Sequence, residues 1–166
     1  MPSQLIILIG LPASGKSTLA RMLHAQNSQW LLVSTDALRA ELFGDESTQG
    51  PWNSIWRQVE QRWYQAIKDE VGVIYDATNV VRRQRRGLIV QARNFGFEGV
   101  LGWWLDVPLC LCLQRNQDRL RQVPEAVIER MHRRLSGAPP SLAEGFDGLI
   151  RQTNRCQVDS VEPSSF

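Results

Sequence analysis

Gly10, Gly15, Lys16 and Ser17 stand in the spacing G-x-x-x-x-G-K-[ST], inside the stretch GLPASGKST. That spacing suits a loop whose backbone N–H groups cradle phosphate. The two glycines permit the turns that aim those donors inward, from Ala13 and Ser14 through Gly15 and Lys16 to Ser17 and Thr18. A helix starting at the loop's end would add its positive pole. Lys16 is placed to reach the β- and γ-phosphates of a nucleoside triphosphate, and the Ser17 hydroxyl to ligate Mg²⁺. A second half of such a site is an acid closing an apolar strand, and Asp76 closes the run VGVIYDA, where it would hold the same Mg²⁺ directly or through water. A further acid, Asp36, follows the short run WLLVS. It reads either as a ligand-side carboxylate at the C-terminal edge of a sheet or as the cap of the next helix.

These residues need a particular scaffold. The apolar run 5–9 has the character of a strand buried on both faces, followed by a helix over 17–26. Further strands are expected at 30–34, 71–77, 100–106 and 149–153, with helices at 37–43, 55–70, 81–95 and 125–135. Another helix, opened by Pro108, carries Arg115, Asn116, Arg119 and Arg121, and a break at Val123 and Pro124 follows it. Strands alternating with helices in this way predict a three-layer α/β/α domain around a parallel sheet. The arginine-bearing helices late in the chain read either as a lid over the triphosphate or as an ordinary solvated surface.

Two other clusters carry a choice. The stripe Ile55, Val59, Trp63, Ala66 and Ile67 marks the tryptophans of the helix over 55–70 for the core rather than for a base-stacking platform, whereas Trp52, expected in the loop 44–52 just before the helix, is free for either core or ligand. On the helix over 81–95, Val81, Leu88, Ala92 and Phe95 form an apolar stripe, and Arg82, Arg86 and Arg93 share another face. Arg82, Arg83, Arg85 and Arg86 lie within five residues and have no acid between them, so the cluster is either a solvated face or a contact for phosphate.

Length and composition set the limits. A chain of 166 residues fits one domain, here taken as a core over about 4–153 with a frayed polar end over 159–166. Hydrophobic residues at 43% and charged residues at 22% are ordinary for a globular protein, and no apolar run is long enough to span a bilayer. The start MPSQ lacks the basic opening of a signal peptide, and Cys110, Cys112 and Cys156 are odd in number and fit no metal spacing, so a cytoplasmic protein with reduced thiols is expected. The net charge of +2 does not by itself argue for nucleic acid, but Lys16 and Lys68 are the only lysines. Arginine supplies every other basic residue, and its guanidinium is the side chain best shaped for bidentate contact with phosphate.

Taken together, GLPASGKST, STDALR, VIYDATN, QRNQDR, VPEAVIERM and APPSLAEGF make the chain resemble the kinase domain of phage and animal 5′-polynucleotide kinases over about residues 4–153. The wider group of phosphate-loop kinases around them includes zeta toxins and small-metabolite kinases. The resemblance implies ATP as donor, Mg²⁺ as cofactor and a nucleic acid 5′-hydroxyl as acceptor. It also implies that Asp36 is the general base, that Arg39 grips the phosphate adjoining the acceptor nucleoside, and that Arg119 stabilises the transferring phosphoryl group with Arg115 beside it on the nucleotide. Asp76 and Asn79 would serve as metal shell and positioning groups. No residue of 44–52 matches the family's acceptor site, which leaves RNA, DNA, a nucleoside or another alcohol as possible acceptors. A nucleotide-gated binding protein with no acceptor at all is the alternative from a different class.

Overall fold

A computed structural model describes residues 3–154. The sheet has five parallel strands in the order β2-β3-β1-β4-β5, made of β1 (Gln4–Ile9), β2 (Leu31–Ser34), β3 (Val73–Asp76), β4 (Gly99–Asp106) and β5 (Gly148–Thr153). Between β1 and β5 run α1 (Lys16–Gln26), α2 (Thr35–Phe43), α3 (Trp52–Lys68), α4 (Arg82–Phe95), α5 (Leu109–Gln117) and α6 (Glu125–Gly137). This is the expected parallel α/β architecture. Its reason is visible in β1, the central strand, whose Leu5, Ile6, Ile7, Leu8 and Ile9 are all buried because helices cover both faces. Cys112 is also in the core and Cys110 is exposed, while Cys156 and the stretch 159–166 lie outside the described residues.

Sheet order and register bring the chemistry to one edge. The chain leaves β1 for β2 and β3 on one side, then crosses back to β4 and β5 on the other, so the C-terminal end of β1 is a topological switch point, where open α/β sheets bind ligands. Ser34 pairs with Asp76 in register, which starts α2 beside the end of β3. Ser34 Oγ accepts from Ala37 N at 3.4 Å and caps α2. Asp36 is therefore not the cap, and its carboxylate remains available.

Two sequence expectations change. Helix α3 begins at Trp52, directly after Pro51, rather than near Ile55, so this indole sits in the helix's first turn and not in the loop. On α4 the buried face is Arg85, Leu88, Ile89 and Ala92, which places an arginine within the apolar stripe. Arg85 is 0% exposed, and Glu144, from a single 3-10 turn before β5, is its partner. The acid that the local sequence lacks arrives from 59 residues away. Arg82 reaches the same carboxylate at 3.7 Å, Arg93 pairs with Asp147 at 2.6 Å, and none of the four clustered arginines lines the cleft described below. Their proximity in sequence reflects an internal lock and a solvated face.

Candidate active site

The loop between β1 and α1 is shaped by two glycines for different reasons. Gly15 has φ 99°, a left-handed conformation that an L side chain resists, and it forms the N-terminal cap of α1. Gly10 does not need a left-handed turn. A Cβ there would stand 2.7 Å from Ser14 Oγ and 3.2 Å from the Leu105 carbonyl, so close approach demands the glycine. Gly10 sits behind the loop, its N–H donating to the Thr78 carbonyl at 3.0 Å, which ties the loop to the end of β3. Ala13 is also left-handed, at φ 63°. Alternation of conformations around Ala13 and Gly15 is the geometry of a backbone anion nest. The first turn of α1 has neither a side-chain cap nor an acid, which leaves its N–H groups to an anion.

Ala13, Ser14, Gly15, Lys16, Ser17 and Thr18 line a cleft of about 1590 Å³. That exceeds the ~300–1,000 Å³ usual for one small ligand and leaves room for a nucleotide and a second substrate. Asp36, Arg39, Asp76, Asn79, Arg115 and Arg119 line the same cleft. The residues expected to serve the nucleotide, the metal and the transfer thus share one cavity, with Gly10 behind it, and the arginine cluster of α4 lies outside it.

Ser17 Oγ donates to Asp76 Oδ2 at 2.9 Å. Burial raises the Asp76 pKa above the ordinary carboxylate range, while Lys16 and the Ser17 hydrogen bond pull it back down. A buried carboxylate joined to a hydroxyl is a hard-oxygen pair that suits Mg²⁺, whose remaining ligands at phosphate sites are water and the phosphates themselves. The pair fits that ion. Among the described residues, no group of three or more His, Cys, Asp or Glu could build a metal cage of their own.

Lys16 donates from Nζ to the Leu11 carbonyl at 2.7 Å and is buried. Loss of water brings its pKa down from 10.5 to about 8, against the upward pull of Asp76 and Asp36, and Arg119 adds to the fall. A bound triphosphate favours the ammonium and raises that pKa again. Between pH 8 and the higher value, nucleotide binding therefore takes up a proton, and affinity falls by up to about tenfold per pH unit. Folding has the opposite sign in this window: the unfolded chain holds more protons, so the ligand-free protein gains stability from Lys16 as pH rises from about 8 to 10.5. Calorimetry of ATP binding in buffers of different ionisation enthalpy at pH 8.5 should show this uptake, and Lys16→Met should abolish it.

Asp36 Oδ1 accepts from Arg39 Nη1 at 2.7 Å, one helical turn along α2, and the Asp36 side chain is 51% exposed. Arg39 is mostly buried, and its Nε has no partner. Arg115 comes from α5, while Arg119 and Arg121 come from the segment 118–124 that joins α5 to α6. Asn116 shapes that segment: its Nδ2 donates to the Val123 carbonyl at 2.8 Å and its Oδ1 accepts from Val123 N at 2.9 Å. Arg121 then crosses to the loop 44–51, donating to Glu46 Oε2 at 3.0 Å and to the Glu46 carbonyl at 3.1 Å. Trp52, left open in the sequence between core and ligand, lines the cleft, whereas the Asn116 clasp, the Arg121–Glu46 bridge and the cleft positions of Ser47, Gln49 and Trp56 have no sequence signal. Each depends on a contact or a wall made by distant segments, and no local pattern announces it.

A parallel sheet with a phosphate loop after its central strand, an acid ending the neighbouring strand and an arginine-bearing segment over the cleft defines the phosphate-loop kinases. Residues 5–138 match the AAA domain family AAA_33; the chain belongs to that family, and ATP is the nucleotide it implies. The chain is 28% identical over 141 residues to an L-seryl-tRNA(Sec) kinase of Methanococcus maripaludis, covering 77% of this chain and 51% of that protein. A chain in the structure of the Pnkp1/Rnl/Hen1 RNA repair complex superposes with a TM-score of 0.74 at 27% identity, over 82% of this chain and 45% of that one. The chain therefore spans about half the length of these two relatives. A gluconokinase from Sinorhizobium meliloti 1021 shares the fold, with a TM-score of 0.55 and 16% identity over 92% of this chain and 82% of its own. Among the described residues no helix is long and apolar enough to cross a membrane.

Proposed function

We propose that the protein transfers the γ-phosphoryl group of ATP to the 5′-hydroxyl of a polynucleotide. The observation that carries this reading is the Asp36–Arg39 pair on the wall of the phosphate-loop cleft, joined at 2.7 Å. A carboxylate that can take a hydroxyl proton, beside a guanidinium that can bind an anion, suits an acceptor bearing both groups a short distance apart. A nucleic acid end has that form. Kinship at 27% identity with a chain of an RNA repair complex supports the same reading.

In the reaction, Asp36 accepts the proton of the attacking hydroxyl. A bond forms from that oxygen to the γ-phosphorus, the bond from phosphorus to the bridging oxygen breaks, and ADP leaves. Lys16 and Arg119 meet the charge on the transferring group, Arg115 holds the nucleotide, and Arg39 aligns the acceptor. Ser17 and Asp76 would hold Mg²⁺, which when bound neutralises charge on the phosphate oxygens. Positioning and charge are most of what this chemistry asks of a protein.

A second reading, favoured by the 28% identity to a seryl-tRNA kinase, is transfer to another small hydroxyl, on an RNA-borne amino acid or a free metabolite. Labelled ATP offered against 5′-hydroxyl RNA and DNA oligonucleotides, seryl-tRNA, nucleosides and sugar acids separates the two, with Lys16→Ala as the blank. The expected result is transfer to oligonucleotides, with an acceptor KM that rises with salt as phosphate contacts are screened. Preferred transfer to seryl-tRNA, or salt-insensitive transfer to a nucleoside or a sugar acid, would overturn the proposal.

A further inference from the structure

Helix α3 carries an aromatic file that leads from the core into the cleft. Trp63 is 0% exposed, with Tyr75, Phe95 and Phe97 edge-on at ring-centroid distances of 5.9, 5.8 and 5.5 Å. Trp56 meets Trp63 edge-on at 5.5 Å, and its Nε1 donates to Glu60 Oε1 at 2.8 Å, so its ring is held from both ends. Trp52, one turn earlier, lies nearly parallel to Trp56, with centroids 6.5 Å apart and an interplanar angle of 23°. It is 50% exposed, and it lines the same cleft as Asp36, Arg39 and Asn53.

The core accounts for Trp63 and Trp56 but not for the half-exposed indole at 52. An indole backed on one side by a fixed ring, entering the helix straight after Pro51, is a rigid flat surface that pays little entropy on binding. It lines the cleft from α3, which packs on α2, the helix that carries Asp36 and Arg39.

We propose that Trp52 is the platform on which a base of the acceptor stacks, next to the hydroxyl that Asp36 serves. This rests on the polynucleotide reading and adds to it the means by which the cleft prefers a nucleoside end to a simple alcohol. Ring stacking tolerates any base, so the platform selects for the presence of a base and not for its identity.

The test compares 5′-hydroxyl oligonucleotides whose terminal residue carries a base with the same oligonucleotides ending in an abasic residue. With the unaltered protein, the abasic end should raise the acceptor KM about 10-fold, with kcat within about twofold, because stacking is equal in ground and transition states. Trp52→Leu, which keeps apolar cover over the helix, should produce the same rise on the base-bearing end and none on the abasic end. Trp52→Phe should fall between the two. An unchanged KM in Trp52→Leu, or an equal loss on both ends, would overturn the platform while leaving the kinase reading intact. Absence of transfer to any oligonucleotide by the unaltered protein would instead overturn the acceptor assignment and this proposal with it.

Discussion

Asp36→Asn should lower the rate of phosphoryl transfer about 10²–10⁴-fold at saturating ATP and acceptor, and leave ATP affinity unchanged. The substitution is nearly isosteric, and an asparagine oxygen can still accept from Arg39 Nη1, which now lies 2.7 Å from Asp36 Oδ1. Helix α2 keeps its cap, since Ser34 supplies it. What the variant loses is the capacity to receive a proton, a loss confined to the chemical step. Single-turnover transfer of labelled phosphate, beside a nucleotide titration and a thermal melt, measures these quantities separately. Full transfer by the variant would reduce Asp36 to an anchor for Arg39. In that case Arg39→Gln would carry the defect and would raise the acceptor KM. If the unaltered protein transfers nothing to any acceptor while Asp36→Asn retains ATP binding, the protein is a nucleotide-gated binder and the acid has no chemical step to serve.

The order of strands and helices was legible because each depends on a local pattern. The buried run of β1 reads as a central strand from its five apolar residues alone, and the phosphate loop reads from spacing. Asp76 and Asp36 could be placed on the ligand edge because parallel sheets put the C-terminal ends of their strands there. The sequence was least informative where a side chain's partner lies far away along the chain. Arg85 looked like part of a basic face because Glu144 is 59 residues distant. Trp52 looked like loop because the polar run 44–51 hides the start of α3, and a proline just before a helix marks its beginning as readily as it marks a turn. The Arg121–Glu46 bridge spans 75 residues and joins two segments that show no regular periodicity. Such contacts exist only once the sheet has brought the segments together.

The largest effect on stability should come from that same distant pair. Arg85 donates from Nε to Glu144 Oε2 and from Nη2 to Oε1, both at 2.7 Å, and further from Nη2 to the Ala138 carbonyl at 2.7 Å and from Nη1 to the Asn79 carbonyl at 3.2 Å. One guanidinium thus joins α4, the end of α6, the turn before β5 and the loop that follows β3. Asn79 is left-handed at φ 51°, lines the cleft and donates to the Leu8 carbonyl at 2.6 Å, while the adjoining Thr78 carbonyl receives Gly10 N–H. Glu144→Gln should leave a buried cation without its counter-charge and cost about 3–5 kcal/mol. At roughly 2–4 °C per kcal/mol for a chain of this size, the melting temperature should fall by about 10 °C. Arg85→Met together with Glu144→Leu removes both charges and should recover most of that loss, because the desolvation cost disappears along with the attraction. The Asn79 and Ala138 carbonyls lose their Arg85 donor only in the double variant, so ATP affinity should be lower there than in Glu144→Gln even as stability recovers. A melt and a nucleotide titration on the three proteins decide it. If Glu144→Gln melts within about 1 °C of the unaltered chain, the lock adds nothing to the fold, and the arginine's burial needs another cause.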